Sequence, residues 1–138
     1  MRIVIDLQGR QSISSRNRGI GRYSLAISKA IARNKKDHEV MIVLSSAFPD
    51  EAEEIKNEFK NLLPQENIVV WSCPGDTSFL TSEKQYRKTA ELSRELFLHD
   101  LNPDIIYIAS LFEGHDDDAV TSVDTILSGI PIAATLYD

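Results

Sequence analysis

The sequence has 138 residues, 42% hydrophobic and 26% charged, with a formal net charge of -6. This length suits one domain with a buried core, and the ordinary composition excludes disordered and collagen-like classes. The acidic balance excludes a broad footprint for DNA or RNA, whose binding rests on Lys and Arg at many phosphates.

In chain order, the first predicted element is a strand, RIVIDL, at residues 2–7. Its apolar run is too short for a signal-peptide core or a membrane span, and Cys73, alone, can close no internal disulfide, which together suit a cytoplasmic protein. A loop, GRQSISSRNRGIG, follows, and then Ile20, Tyr23, Ile27, Ala30 and Ile31 recur at helical spacing. EVMIVL (39–44) reads as the second strand. Asp50 can cap the next helix, whose apolar face is Ala52, Ile55, Phe59, Leu62 and Leu63. NIVVWS (67–72) is the third strand. A helix from about Ser82 carries Tyr86, Ala90, Ser93, Phe97 and Leu101 and stops before Pro103. DIIYIA (104–109) is the fourth strand, a helix is predicted between Asp118 and Ser128, ended by Gly129 and Pro131, and IPIAATL (130–136) is the fifth strand.

The strands are nearly continuous Val and Ile runs, as in parallel strands buried on both faces. Strand and helix in alternation predict an α/β, Rossmann-like, doubly wound parallel sheet of about five strands with helices on both faces. No internal repeat or linker divides residues 1–138. The chain stops at Asp138 by the tip of the fifth strand, which reads as part of a longer protein.

Ligands of such sheets bind outside the carboxyl ends of the strands, where strand order reverses, so the loops after the first and fourth strands are the candidates. The first contains Arg10, Arg16, Arg18 and Arg22 around Gly19 and Gly21. It does not satisfy the dinucleotide fingerprint: the loop is too long, Ser24 stands at the third glycine position, and the second strand runs into Ser45 and Ser46 rather than an acid. Two readings remain open. The glycines can present helix-start N–H groups to an anion reinforced by the arginines, or they can simply permit a strand-to-helix turn. In LFEGHDDDAV after the fourth strand, Glu113 and His115 are polar ligand candidates, while Asp116, Asp117 and Asp118 in succession point in different directions and suit helix capping better than a metal. No metal site is expected.

MRIVIDLQGRQSISSRNRGIGRYSLAISKAIAR, the HEV strand opening, LLPQENIVVW, SLFEG with DDAV, and the final TLYD together make the whole chain resemble the start of bacterial retaining glycosyltransferases of the two-Rossmann-domain, GT-B type. The subgroup it most resembles, group 1 or family 4-like, builds cell-surface polysaccharides such as O-antigen. The resemblance implies a transferase, a hexosyltransferase, moving a sugar such as mannose from a nucleotide-sugar donor, GDP-mannose in many relatives, to a glycan or lipid-linked acceptor. It implies retention of configuration and no metal or other cofactor. Residues 1–138 would be the N-terminal, acceptor-side domain, inactive alone, with a C-terminal nucleotide-sugar domain not in this chain. The partners implied are the donor, the acceptor and that second domain, with no nucleic acid; the full enzyme can sit peripherally at the inner membrane face, and the exposed fifth strand can pair with another copy as a homodimer.

The same resemblance assigns Arg16, Arg18, Gly19, Gly21 and Arg22 to the donor-phosphate side of the cleft, where fixed N–H and guanidinium groups would stabilise the departing diphosphate. It assigns Phe112, Glu113, Gly114 and His115 to the acceptor, and Tyr137 and Asp138 to the catalytic position after the fifth strand. Many relatives carry a histidine where Tyr137 stands, and a phenol donates a hydrogen bond but is a poor base near neutral pH. The family's E-x7-E spacing occurs at Glu58 with Glu66 and at Glu83 with Glu91, without the family's glycine-rich context in either case. The alternative is a stand-alone flavodoxin-like or receiver-like binding or regulatory module, with Asp6 as its acidic group.

Overall fold

The computed structural model describes residues 1–123 and 126–137. Five strands lie where the apolar runs predict them: β1 Arg2–Asp6, β2 Glu39–Ser45, β3 Ile68–Trp71, β4 Ile105–Ile108 and β5 Ile132–Ala134. They form one sheet in the order β3-β2-β1-β4-β5. All four pairings are parallel. The chain builds outward from β1 to β3, then returns to place β4 on the other side of β1. Strand order therefore reverses between β1 and β4.

Alternation along the strands divides the core in two. Ile5, Val40, Ile42 and Leu44 point to one face, with Ala52, Ile55 and Phe59 packed on them. Val4, Met41, Val43, Ile106 and Ile108 point to the other, against Ala90 and Leu98. The helices are α1 Gln8–Gln11, α2 Gly19–Arg33, α3 Pro49–Phe59 and α4 Lys84–Asp100. Pro49 occupies the first turn of α3, where a missing N–H costs nothing, with Asp50 and Glu51 beside it at the positive end of the dipole.

Four expectations about helices change. Asp50 does not cap α3 but lies inside its first turn, the N-cap being Phe48. In α2 the buried residues are Gly21, Ser24, Ser28 and Ala32, not the Ile20, Tyr23 and Ile27 stripe. Small side chains on one face let the helix lie close to the sheet, while Tyr23 is left exposed. In α4 the buried face includes Arg87, Arg94 and Glu95 beside Ala90 and Leu98. No helix occupies the described residues between Asp118 and Ser128. Their polar groups are engaged from outside the segment: the Gln8 side chain makes a pair of hydrogen bonds with Val120, at 2.7 Å to its carbonyl and 2.9 Å from its N–H, and the Arg94 guanidinium donates to the Ser122 carbonyl at 3.0 Å. A backbone held by these side chains stays extended where a helix would need the same groups for itself.

Candidate active site at the carboxyl ends of the strands

The first connection is not a bare loop. Its opening residues form α1, and the two glutamines of that helix are buried. Gln8 holds Val120, beyond β4. Gln11 accepts from the Ser45 N–H at 2.8 Å and donates to the Ser45 and Phe48 carbonyls at 3.0 and 3.2 Å, at the end of β2 and just past it. Asp6, at the end of β1, is sealed beneath this layer. Its carboxylate accepts from Arg94 Nε at 2.7 Å, pairs with a second guanidinium nitrogen of Arg94, and accepts from the Gln8 N–H at 3.1 Å. Asp6 and Arg94 are both withdrawn from solvent. Asp6 is thus committed to an internal ion pair and not open at the sheet end as a receiver-like phosphoacceptor would need.

The loops after β1, β3 and β4 are stitched into one rim. Glu113 is buried and accepts from the Ser15 hydroxyl at 2.7 and 2.9 Å and from the Ser110 hydroxyl at 2.7 Å. Asp117 accepts from the Ser12 hydroxyl at 2.8 Å and the Ile13 N–H at 2.7 Å, and Asp118 from the Thr77 N–H at 2.8 Å. Asp117 and Asp118 therefore tie loops together, while Asp116 is exposed; the helix the three were expected to cap is absent among the described residues. Phe79 and Leu80 donate their N–H groups to the Gly114 and His115 carbonyls at 2.9 and 3.0 Å. Among the described residues no three His, Cys, Asp or Glu side chains gather as a metal-binding group.

A cleft of about 260 Å³ opens in this rim, with Ser15, Arg18 and Ile20 on one wall and Phe112, Glu113 and Tyr137 on the other. The start of α2 and the loop after β4 thus face one hollow at the point where strand order reverses. The other assigned cations go elsewhere. Arg16 pairs with Glu51, and its carbonyl accepts from Arg10 at 2.6 Å. Arg22 lines a separate groove with Arg10, Leu25 and Lys29. His115 is exposed in a second hollow of about 420 Å³, between Phe79 and Phe112. The Tyr137 hydroxyl is turned inward to the Ala109 carbonyl at 3.2 Å and the Ser24 hydroxyl at 3.3 Å, its ring edge-on to Tyr23. Asp138 lies outside the described residues.

The glycines separate by geometry. A Cβ on Gly21 would lie 2.5 Å from the Ser15 carbonyl oxygen and 2.6 Å from Arg16 Cα, whereas one on Gly19 would meet nothing within 4 Å. Gly21 also gives its N–H to the Ser15 carbonyl at 3.0 Å, so it is a packing glycine. Gly19 is exposed between Arg18 and Ile20, which line the cleft, and no side chain caps the helix there. Gly21→Ala is expected to cost about 1–3 kcal/mol through backbone collision. Gly19→Ala is expected to leave stability level or raise it by up to about 1 kcal/mol, since alanine suits a helical position better than glycine. Denaturant melts of the two variants check the pair.

Residues that the sequence reading passed over carry much of this rim: Gln8, Gln11, Ser15, Phe79 and Arg94. One signal was legible for Arg94, which sits in register with Ala90 and Leu98 at helical spacing, marking an inward arginine that needs a buried acid.

Comparison with known proteins finds a stretch of 125 residues, 89% of this chain, that is 37% identical to the serotype-specific mannosyltransferase WbdA of Escherichia coli. Two further Escherichia coli proteins of that name match 99 residues, 70% of the chain, at 31% and 29% identity. The matched stretches cover only 15% of the first of these proteins and 12% of each of the others. No family model matches the chain, and no solved structure matches it at a significant level. No helix among the described residues is long and apolar enough to cross a membrane. The chain is thus similar in sequence to one short segment of proteins named as mannosyltransferases, and its all-parallel sheet is of the α/β, Rossmann-like kind.

Proposed function

We propose that this chain forms the acceptor-side half of a hexosyltransferase active site, transferring a sugar such as mannose from a nucleotide-sugar donor to a glycan or lipid-linked acceptor in O-antigen-type polysaccharide synthesis. In this reading a second, nucleotide-binding domain completes the cleft, the anomeric configuration is retained and no metal takes part. The observation that carries the reading is the hollow shared by Arg18, the open start of α2 and the Phe112–Glu113 loop, in a chain whose relatives are named as mannosyltransferases.

The chemistry follows from charge. As the glycosidic bond to the donor breaks, negative charge accumulates on the leaving diphosphate. Arg18, exposed at the helix start, and the Gly19 N–H, which has no partner among the described residues, are placed to meet that charge. Arg16 and Gly21 support this wall through Glu51 and Ser15. Phe112 offers an exposed apolar face for the acceptor. Tyr137, tied to Ala109, serves to shape the cleft and not to move a proton.

The test is transfer of labelled mannose from GDP-mannose, and of other sugars from a panel of nucleotide sugars, by the complete polypeptide carrying this chain. No transfer or donor hydrolysis with any of them would overturn the reading. Arg18→Ala is expected to lower kcat by up to about 10²-fold with unchanged stability, the scale of losing one transition-state donor. Unaltered kinetics would return Arg18 to the role of a solvated loop residue.

A further inference from the structure

The structure contains a second concentration of positive charge, apart from the cleft. Arg10 of α1 and Arg22, Lys29 and Arg33 of α2 surround a groove of about 360 Å³ floored by Leu25 and Ala26. On α2 these positions follow one another at three, four, seven and eleven residues from Arg22, so one helix face carries them all. The groove shares no lining residue with the cleft.

The fold does not need this arrangement. Arg22 lies in the first turn of α2, where the helix dipole disfavours a cation, and no acidic residue stands in that turn to compensate. Lys29 and Arg33 are like charges four apart, a spacing that destabilises a helix. Arg22 and Arg33 are exposed and make no ion pair among the described residues. The Arg10 Nε is buried with no hydrogen-bond partner among the described residues. The groove meets one carboxylate, Glu58 of α3, which accepts from Lys29 at 2.6 Å. That contact and the Lys29 charge, with Arg10 adding to them, hold the Glu58 carboxyl below its ordinary range. Four cations against one carboxylate leave a positive groove in a chain of net charge -6.

We propose that this groove binds a phosphate group, the apolar floor taking the carbon skeleton beside it, Arg22 and Arg33 donating to the phosphate oxygens and Arg10 adding its charge. Guanidinium groups are the matched donors for such oxygens, and the dispersed positive field favours a doubly charged phosphate over a carboxylate. The phosphate belongs either to a soluble ester or to a lipid headgroup. This site stands independently of the transfer activity proposed for the cleft.

The test titrates the chain with inorganic pyrophosphate at low salt, following backbone amide signals, and in parallel sediments it with phosphatidylcholine vesicles with and without phosphatidic acid, whose monoester headgroup can carry two charges. Signals of Arg22, Leu25, Ala26, Lys29 and Arg33 are expected to shift with pyrophosphate. The double variant R22Q/R33Q is expected to weaken the binding read from these five groove signals about tenfold or more, from the loss of two charge-assisted donors, and R18Q to leave the shifts of these five signals unchanged, while any pyrophosphate met by Arg18 at the cleft moves other amides. Both variants change exposed side chains, and a thermal melt matching the parent confirms the fold. Shifts with pyrophosphate assign a soluble phosphate; sedimentation with the anionic vesicles alone, lost in R22Q/R33Q, assigns a headgroup. No response in either arm, binding that survives R22Q/R33Q, or binding lost only in R18Q overturns the proposal. The assay measures binding by the groove and not sugar transfer, so its failure leaves the cleft reading standing, and the reverse holds too.

Discussion

Arg94→Ala is expected to destabilise the fold by about 3–5 kcal/mol, measured by chemical denaturation, because it strands a buried carboxylate. Asp6 and Arg94 are both buried, and the pair links the end of β1 to the middle of α4. Without the guanidinium, Asp6 keeps only the Gln8 N–H and side-chain amide as donors. The Ser122 carbonyl loses its donor as well. Against a typical stability of about 5–15 kcal/mol, such a loss brings the protein near its threshold. A double change, Asp6→Asn with Arg94→Met, is expected to recover most of the loss, since it removes both charges while the asparagine oxygen still accepts from Gln8. If Arg94→Ala melts like the parent, the ion pair is not what holds β1 to α4.

Gly114→Ala is the second large effect, expected at about 3 kcal/mol or more from combined strain and overpacking. Gly114 has φ of +88°, a region that L side chains rarely adopt. An added Cβ would stand 1.9 Å from the Ala119 carbonyl oxygen and 2.8 Å from an Arg87 nitrogen. Neither neighbour can easily yield. The Ala119 carbonyl accepts from Arg87 at 3.1 Å, and its N–H is held by Asp117 at 3.0 Å. Arg87 is buried, also donates to the Thr77 carbonyl at 2.7 Å, and lies 3.7 Å from the centre of the Phe79 ring. The displacement should therefore spread to both hollows that Phe112 borders, and amide hydrogen exchange at Phe79 and Leu80 should rise together with the loss of stability. Protection unchanged at those amides would show that the rim does not depend on Gly114.

The strands were the most legible part of this sequence, because a run such as IVVW or IIYI between polar segments has few homes other than a doubly covered parallel strand. The helices were legible in position and less so in facing. Counting only apolar residues along α2 picks Ile20, Tyr23 and Ile27, yet the sheet receives Gly21, Ser24, Ser28 and Ala32, since close approach rewards small volume over hydrophobicity. The same counting in α4 passes over Arg87 and Arg94, whose partners Ala119 and Asp6 are remote in sequence. The predicted helix after Asp118 fails for a related reason: the side chains that hold that backbone, Gln8 and Arg94, come from other parts of the chain. At the site, topology placed the first and fourth loops side by side, as the strand-order rule requires. What spacing could not reveal was the division of the arginines, with Arg16 turned to Glu51, Arg22 to the groove and Arg18 left at the cleft.

The four residues of α1 set a limit on how the first connection can vary in length. Gln8 and Gln11 reach opposite sides of β1, one amide meeting the backbone beyond β4 and the other the backbone at the end of β2. One residue inserted between them would rotate one amide by about 100° about the helix axis and detach it from its strand end. Past Ser12 the bonds of Ile13 to Asp117 and of Ser15 to Glu113 and Gly21 carry the same restraint on to the cleft, so that the first connection should keep its length while the two halves of the sheet stay fastened to each other.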